Sequence, residues 1–413
     1  MNKKILLSIA TVCFWGLILK SQVPKWVKSA HPDGLQVNGV VFGGDGQSIL
    51  TGTNCHPAKL RRYNTADGAL SWDYTVSETL NCMMGVSLSS NERYFTSVEE
   101  NGHLLIFDYL QPQPTLLKTL NLGTAYAFSV DFSPNSESVA VGCSSGKLQA
   151  YEISGNALWS VAAHTSWVTS VDYSPDGNLV ASGGSDNKVK IWKADGTPFK
   201  TLNGHAADIT AVRFTPDNLR LVSASQDNKV RIWDVQSGTL LKILPVSTED
   251  VLGLALSNDG SYLATIAGYE LKIWQMSDYS LLETINIAAI GFPTSISWSP
   301  VESSVAIGTD NGKIALYEIE TSATSTRTAM RSVQAKAYPN PCTDFVQLNW
   351  PSTENIAQID LYDAQGQLLK SISDLAGQNN LRLPLGAYTP SAFFTLRLLT
   401  TDGRSGQQVL LHH

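Results

Sequence analysis

From about residue 36 to residue 320 the chain is written in short runs that are either alternating apolar and polar or wholly apolar. Each run ends in a cluster of Gly, Asp, Asn, Ser or Pro. Alternation with period two marks a half-buried strand, and an unbroken apolar run marks a strand covered on both faces. The runs also repeat. A strand ending in a large residue and a turn appears as V-V-F-G-G-D-G at Phe42, V-S-L-S-S-N-E at Leu88, V-D-F-S-P-N-S at Phe132 and V-D-Y-S-P-D-G at Tyr173. It returns as V-R-F-T-P-D-N at Phe214, L-A-L-S-N-D-G at Leu256 and I-S-W-S-P-V-E at Trp298. A second aromatic keeps step with it at Tyr63, Phe107, Tyr151, Trp192, Trp233, Trp274 and Tyr317. Two independent markers in one period of a little over forty residues identify a repeat architecture.

The clearest unit predicts strands at 210–215, 220–225, 229–234 and 240–244, with turns Pro216-Asp217-Asn218, Gln226-Asp227-Asn228 and Gln236-Ser237-Gly238. A lone four-stranded sheet cannot bury both faces. Seven set radially can, so the expected fold class is all-β, a seven-bladed β-propeller over 22–320. The last repeat lacks a fourth strand: after Tyr317-Glu318 the chain turns to Ser, Thr and Ala. Pro24-Lys25-Trp26-Val27-Lys28 precedes His31 much as Pro198-Phe199-Lys200-Thr201-Leu202 precedes His205. The N-terminal strand is therefore expected to complete the seventh blade.

These repeats resemble WD-repeat propellers, in the wider quinoprotein-like superfamily, over roughly 23–320 and most closely over 163–274. Trp233-Asp234 and Gly204-His205 stand as the signature pairs. The resemblance implies a structural network of His, Ser, Asp and Trp, here His205, Ser223, Asp227 and Trp233, and again His164, Ser182, Asp186 and Trp192. We read it as a stability device, not a catalytic one.

Residues 1–21 read as a signal peptide. Lys3 and Lys4 precede an apolar run from Ile5 to Leu19, too short to span a bilayer, with cleavage expected after Ser21. No stable membrane span is expected in the mature protein. Residues 321–335 read as a Ser/Thr-rich linker. Beyond it the repeat is lost, and strands at 345–350, 359–362, 368–372, 381–383, 393–399 and 407–411 predict a small C-terminal β-sandwich. This tail, 336–413, resembles the C-terminal sorting domain of the bacterial type IX secretion system. The resemblance rests on Tyr338, Pro339, Asn340 and Pro341, on Ile359-Asp360-Leu361-Tyr362-Asp363, and on Phe394-Thr395-Leu396-Arg397-Leu398 before Val409-Leu410-Leu411. It implies passage through the periplasm, a partner in the secretion machinery, and a protein released outside the cell or attached to its outer surface.

The formal net charge of -7 excludes a general nucleic-acid binder, which needs a basic footprint. The cysteines include no C-x-x-C pair; Cys55 and Cys82 fall in loops of one propeller face, where a disulfide is open to them. The seven histidines are scattered, and neither a metal site nor a cofactor is expected. Gly142-Cys143-Ser144-Ser145-Gly146 has nucleophile-elbow spacing but falls between two strands, so no catalytic residue is assigned to it. Tyr63–Trp72 and Ser154–Trp159 have some look of quinoprotein repeats, which keeps a quinoprotein-like oxidoreductase as an alternative, beside a purely structural surface protein.

A binding scaffold is the better expectation. The residues six before each first marker are Gln36, Cys82, Tyr126, Trp167, Asp208, Asp250 and Phe292. In a radial array they form one ring, which the family resemblance puts at the mouth of the central channel. Aromatic rings beside carboxylates suit a protein or peptide with a basic or apolar side chain, or a glycan. Ser185, Gln226 and Thr309 are expected nearby, and a monomer is expected.

Overall fold

The computed structural model describes residues 23–30, 34–53, 58–77, 82–109, 114–124 and 126–319, together with tail strands at 336–338, 345–349, 356–362, 368–373, 380–384, 393–400 and 405–411. The expected signal peptide, the linker, Pro339, Asn340, Pro341 and Cys55 lie outside the described residues. The chain divides into two compact units, Met1–Glu318 and Ile319–His413.

The first unit is a seven-bladed propeller of four-stranded antiparallel sheets. The seven inner strands are Val37–Phe42, Met83–Leu88, Ala127–Phe132, Val168–Tyr173, Ile209–Phe214, Val251–Leu256 and Pro293–Trp298, and they define blades 1 to 7. Each touches its successor, and the seventh touches the first, so the ring is closed. The closing strand is Trp26–Ser29. It pairs antiparallel with the third strand of blade 7, Trp26 facing Leu316 and Ser29 facing Lys313. Ladder bonds at Lys25 (to the Leu316 carbonyl, 2.7 Å) and Ala30 (to the Gly312 carbonyl, 2.6 Å) extend it at both ends. Trp26 is buried among Val37, Phe42, Ile49 and Leu316, and its indole N–H donates to the Thr65 carbonyl at 2.9 Å. Burying a side chain of this size contributes roughly 1.5–3 kcal/mol, and here the burial holds blade 7 against blade 1.

The S/T-x-D/N turn that recurs after the inner strands of blades 2 to 6 has a physical cause. In blade 4 the Ser174 hydroxyl donates to Asp176 at 2.6 Å and accepts the Leu179 amide at 2.9 Å. Thr215 does the same with Asp217 and Arg220 at 2.5 and 3.0 Å. One hydroxyl thus closes each of these five hairpins, which is why Thr215 belongs to the turn and the strand ends at Phe214. The fourth turn position is left-handed: Gly177 and Asn218 suit it, whereas Glu92 and Ser136 adopt it against their preference.

The tail unit contains two antiparallel sheets. One orders Lys336–Tyr338, Phe345–Asn349 and Asn380–Pro384; the other orders Leu368–Ser373, Ile356–Tyr362, Phe393–Thr400 and Ser405–Leu411. The strand at Lys336–Tyr338, which the pattern did not predict, pairs Ala337 with Leu348. No helix among the described residues is long and apolar enough to cross a membrane.

Candidate functional site

The seven ring positions each stand immediately before the first residue of an inner strand. Their backbones are held alike. The carbonyls of Cys82, Tyr126, Trp167, Asp208 and Phe292 accept from the amides of Glu100, Ser144, Ser185, Gln226 and Asp310, all just past the second strand of the same blade. The side chains differ. Trp167 is 50% exposed and Tyr126 39%. Asp250 is exposed, while Gln36, Asp208 and Phe292 are half-buried. Cys82 is buried and disulfide-bonded, which withdraws it from the surface; its partner lies outside the described residues.

One residue beyond each ring position, the inner strand carries a bulge after its first residue. The extra residues are Asn38, Met84, Phe128, Thr169, Thr210, Leu252 and Thr294. A bulge re-aims its side chain out of the ladder, and here it points toward the next blade. Thr210 donates to the Val251 carbonyl at 2.6 Å and Asn38 to the Met83 carbonyl at 2.6 Å; Thr169 and Thr294 reach Ile209 and Val37 in the same way. Phe128 cannot make this bond. Its ring packs between Tyr126, with centroids 6.2 Å apart and nearly parallel, and Trp167 at 5.1 Å. The three rings form one exposed cluster across blades 3 and 4. Opposite, Tyr269 meets Phe292 edge-on at 5.4 Å. Sequence reading missed Phe128; the signal was available as Phe standing where three other repeats carry Thr. Ser144 supports the cluster, since its hydroxyl oxygen accepts the Tyr126 amide at 3.1 Å and pairs with Thr124 at 2.9 Å.

Deeper in blades 4 and 5 lie the two expected networks. His164 meets Asp186 at 2.8 Å through Nδ1 and Ser182 at 2.8 Å through Nε2, and Trp192 donates to Ser182 at 2.9 Å. A carboxylate only accepts, so Nδ1 carries the proton and Ser182 donates to Nε2. His205, Asp227, Ser223 and Trp233 repeat the contacts at 3.0, 2.8 and 2.8 Å. Blade 5 adds Arg231, whose Nη1 lies 2.6 Å from Asp227 and 2.7 Å from His205. Burial, with Arg231 beside it, pushes His205 down to about 4 against the pull of Asp227. Burial likewise lowers His164. Both imidazoles are neutral at neutral pH, as a structural network requires.

Residues 155–193 and 196–234 each match the family described as WD domain, G-beta repeat, and the two matches end on Lys193 and Asp234, next to the Trp of each network. Residues 336–394 match the secretion system C-terminal sorting domain. This is a WD-repeat propeller with a secretion sorting tail. The tail marks it for export by the type IX route, to be released or held on the outer cell surface. No curated protein matches the chain.

At the other end of the WD-repeat channel, the residue before each strand-end marker faces inward. Asp131, Asp172 and Arg213 follow one another on blades 3, 4 and 5, in a cavity of about 380 Å³ that also takes in Ser87 and Ser297. Each carboxylate accepts the marker amide of the next blade, Asp131 from Tyr173 at 2.8 Å and Asp172 from Phe214 at 2.7 Å. Burial pushes Asp172 up to about 8 against Arg213, with Asp131 adding to the rise. Asp131 is raised by burial as well. These groups clasp blades together. Among the described residues no cluster of three or more His, Cys, Asp or Glu is arranged to hold a metal. The remaining described thiol, Cys143, is free and buried, and burial pushes it up to about 12, far from a reactive thiolate.

Proposed function

We propose that the exported propeller is a binding module, not an enzyme, and that its channel mouth takes a protein or peptide partner presenting a basic side chain. The observation that carries this reading is the Tyr126–Phe128–Trp167 cluster beside the carboxylates of Asp208 and Asp250. Large exposed rings are costly to leave in water and are the groups from which interface hot spots are made. Asp208, Glu249, Asp250 and Asp310 have no ion-pair partner among the described residues. A Lys or Arg side chain laid over Trp167 gains a cation–π contact and a carboxylate within the same footprint.

The test is binding of the full chain to a peptide array and a glycan array, beside Phe128→Ala and Trp167→Ala variants with unchanged circular dichroism. Capture of Lys- or Arg-bearing peptides, weakened about thirtyfold or more in either variant, is the expected result. Capture of glycans alone would keep the site and replace the ligand class. Binding that both variants retain in full would move the function off the mouth.

A further inference from the structure

The channel mouth holds a second aromatic station, built like the first. At the first, Tyr126 is clamped by one residue of its own blade. Its carbonyl accepts the Ser144 amide at 2.9 Å, and its amide donates to the Ser144 hydroxyl at 3.1 Å. Across the channel, Phe292 is clamped by the equivalent residue of blade 7. Its carbonyl accepts the Asp310 amide at 2.9 Å, and its amide donates to the Asp310 carboxylate at 3.0 Å. Each pair of bonds fixes the backbone beneath an aromatic ring before any partner arrives, so less ordering entropy opposes binding there.

Phe292 has a companion from blade 6. Tyr269 lies in the turn between the strands Tyr262–Ala267 and Glu270–Gln275, is 49% exposed, and meets Phe292 edge-on at 5.4 Å. Its carbonyl accepts the Ile287 amide at 2.9 Å, which holds the turn in place. The preceding Gly268 has φ +52°, and a Cβ there would stand 3.3 Å from Cδ and Oε2 of Glu249, so that carboxylate lies alongside the turn. The order around the mouth is therefore aromatic on blades 3 and 4, acidic on blades 5 and 6, and aromatic again on blades 6 and 7. Blades 1 and 2 offer less to a partner. Gln36 is half-buried, Cys82 is buried, and the Asn38 amide already donates to the Met83 carbonyl.

We propose that the partner of this mouth is an extended peptide segment with two apolar anchor residues, one on each side of its basic residue. One anchor lies against Phe128 and Trp167, the Lys or Arg reaches Asp208 and Asp250, and the other anchor lies against Tyr269 and Phe292. The inference rests on the reading of the mouth as a peptide site and adds the pattern that the peptide must carry. A basic residue with one anchor covers half of the arc. With two anchors on one chain, the second contact forms at high effective concentration, so affinity exceeds that of either half. Apolar or aromatic anchors follow from the exposed rings, which gain most from partners of that kind.

The experiment measures binding of the full chain to synthetic peptides with a fixed central Lys or Arg. Leu, Phe or Trp is placed on both sides of it, on one side or on neither, at every spacing. The expected result is that the best two-sided peptides bind about thirtyfold more tightly than the best one-sided ones, the scale of one hot-spot residue. Trp167→Ala and Tyr269→Ala, each with unchanged circular dichroism, should each weaken the two-sided peptides by about the same factor. Two-sided peptides that bind no better than one-sided ones would overturn the inference. So would two-sided binding that Trp167→Ala weakens and Tyr269→Ala leaves intact. In both of those cases the mouth remains a site for a basic peptide with a single anchor. Binding of none of the peptides would overturn this inference and the peptide reading of the mouth together.

Discussion

The hydroxyl of Thr294 donates to the carbonyl of Val37, joining the last inner strand to the first across 257 residues of chain. The bond belongs to a set: Thr169, Thr210 and Asn38 make the same contact with the next blade. Thr294→Val keeps the shape and removes the donor. Urea melts should show a loss of about 1 kcal/mol, with the Ser295 hydroxyl, 3.2 Å from the same carbonyl, limiting the damage. A Thr294→Val, Ser295→Ala double variant should lose more than the sum of the single changes.

Ring closure places a second prediction on the N-terminal strand. Trp26→Ala should destabilise the propeller by about 3–5 kcal/mol, the usual cost of emptying a site of that size. A chain beginning at His31 lacks the strand altogether and should melt well below one beginning at Gln22. Equal midpoints for the two chains would refute closure by Trp26–Ser29.

Two titrations set opposite pH slopes. His205 is held at about 4 when folded, against an ordinary value near 6.5. Between those values the unfolded chain binds a proton that the folded one refuses, so stability falls as the pH falls through that window. Asp172 is held at about 8, against 3.8 when free. From 3.8 up to 8 the folded carboxyl keeps a proton that the unfolded one has released, so stability falls as the pH rises. Asp172→Asn still accepts the Phe214 amide and cannot titrate. Its stability relative to the unmodified chain should therefore grow from pH 4 to pH 8 in denaturant melts. A constant difference across that range would contradict a raised Asp172.

The tail carries its own prediction. A chain ending at Arg331 lacks the sorting match at 336–394 and should accumulate in the periplasm, read by fractionation and immunoblot. Its appearance in the medium at the normal level would break the assignment.

The period, the closing strand and both His–Ser–Asp–Trp sets were legible in the sequence because each is a local pattern repeated at a fixed interval. Trp26 could be placed because Lys25-Trp26-Val27-Lys28 keeps its distance from His31 as the blade 4 strand does from His205. Phe128 was not legible as part of the mouth. Its position depends on a bulge, and a bulge is a property of two paired strands. Arg231 reads as an exposed strand position, yet it enters the blade 5 network because Asp227 and His205 converge there.

Joining the ring through Trp26–Ser29 also sets an order of events. The strand nearest the N-terminus emerges first during export, and its partner, the Lys313–Glu318 strand, emerges after every blade has been delivered. Closing so long a loop comes late on any pathway, since its entropy must be met before the contacts form. Until then the outermost position of blade 7 is vacant and the inner strands of blades 1 and 7 have no neighbour on one side. The propeller is thus a latch whose two halves arrive at opposite ends of synthesis.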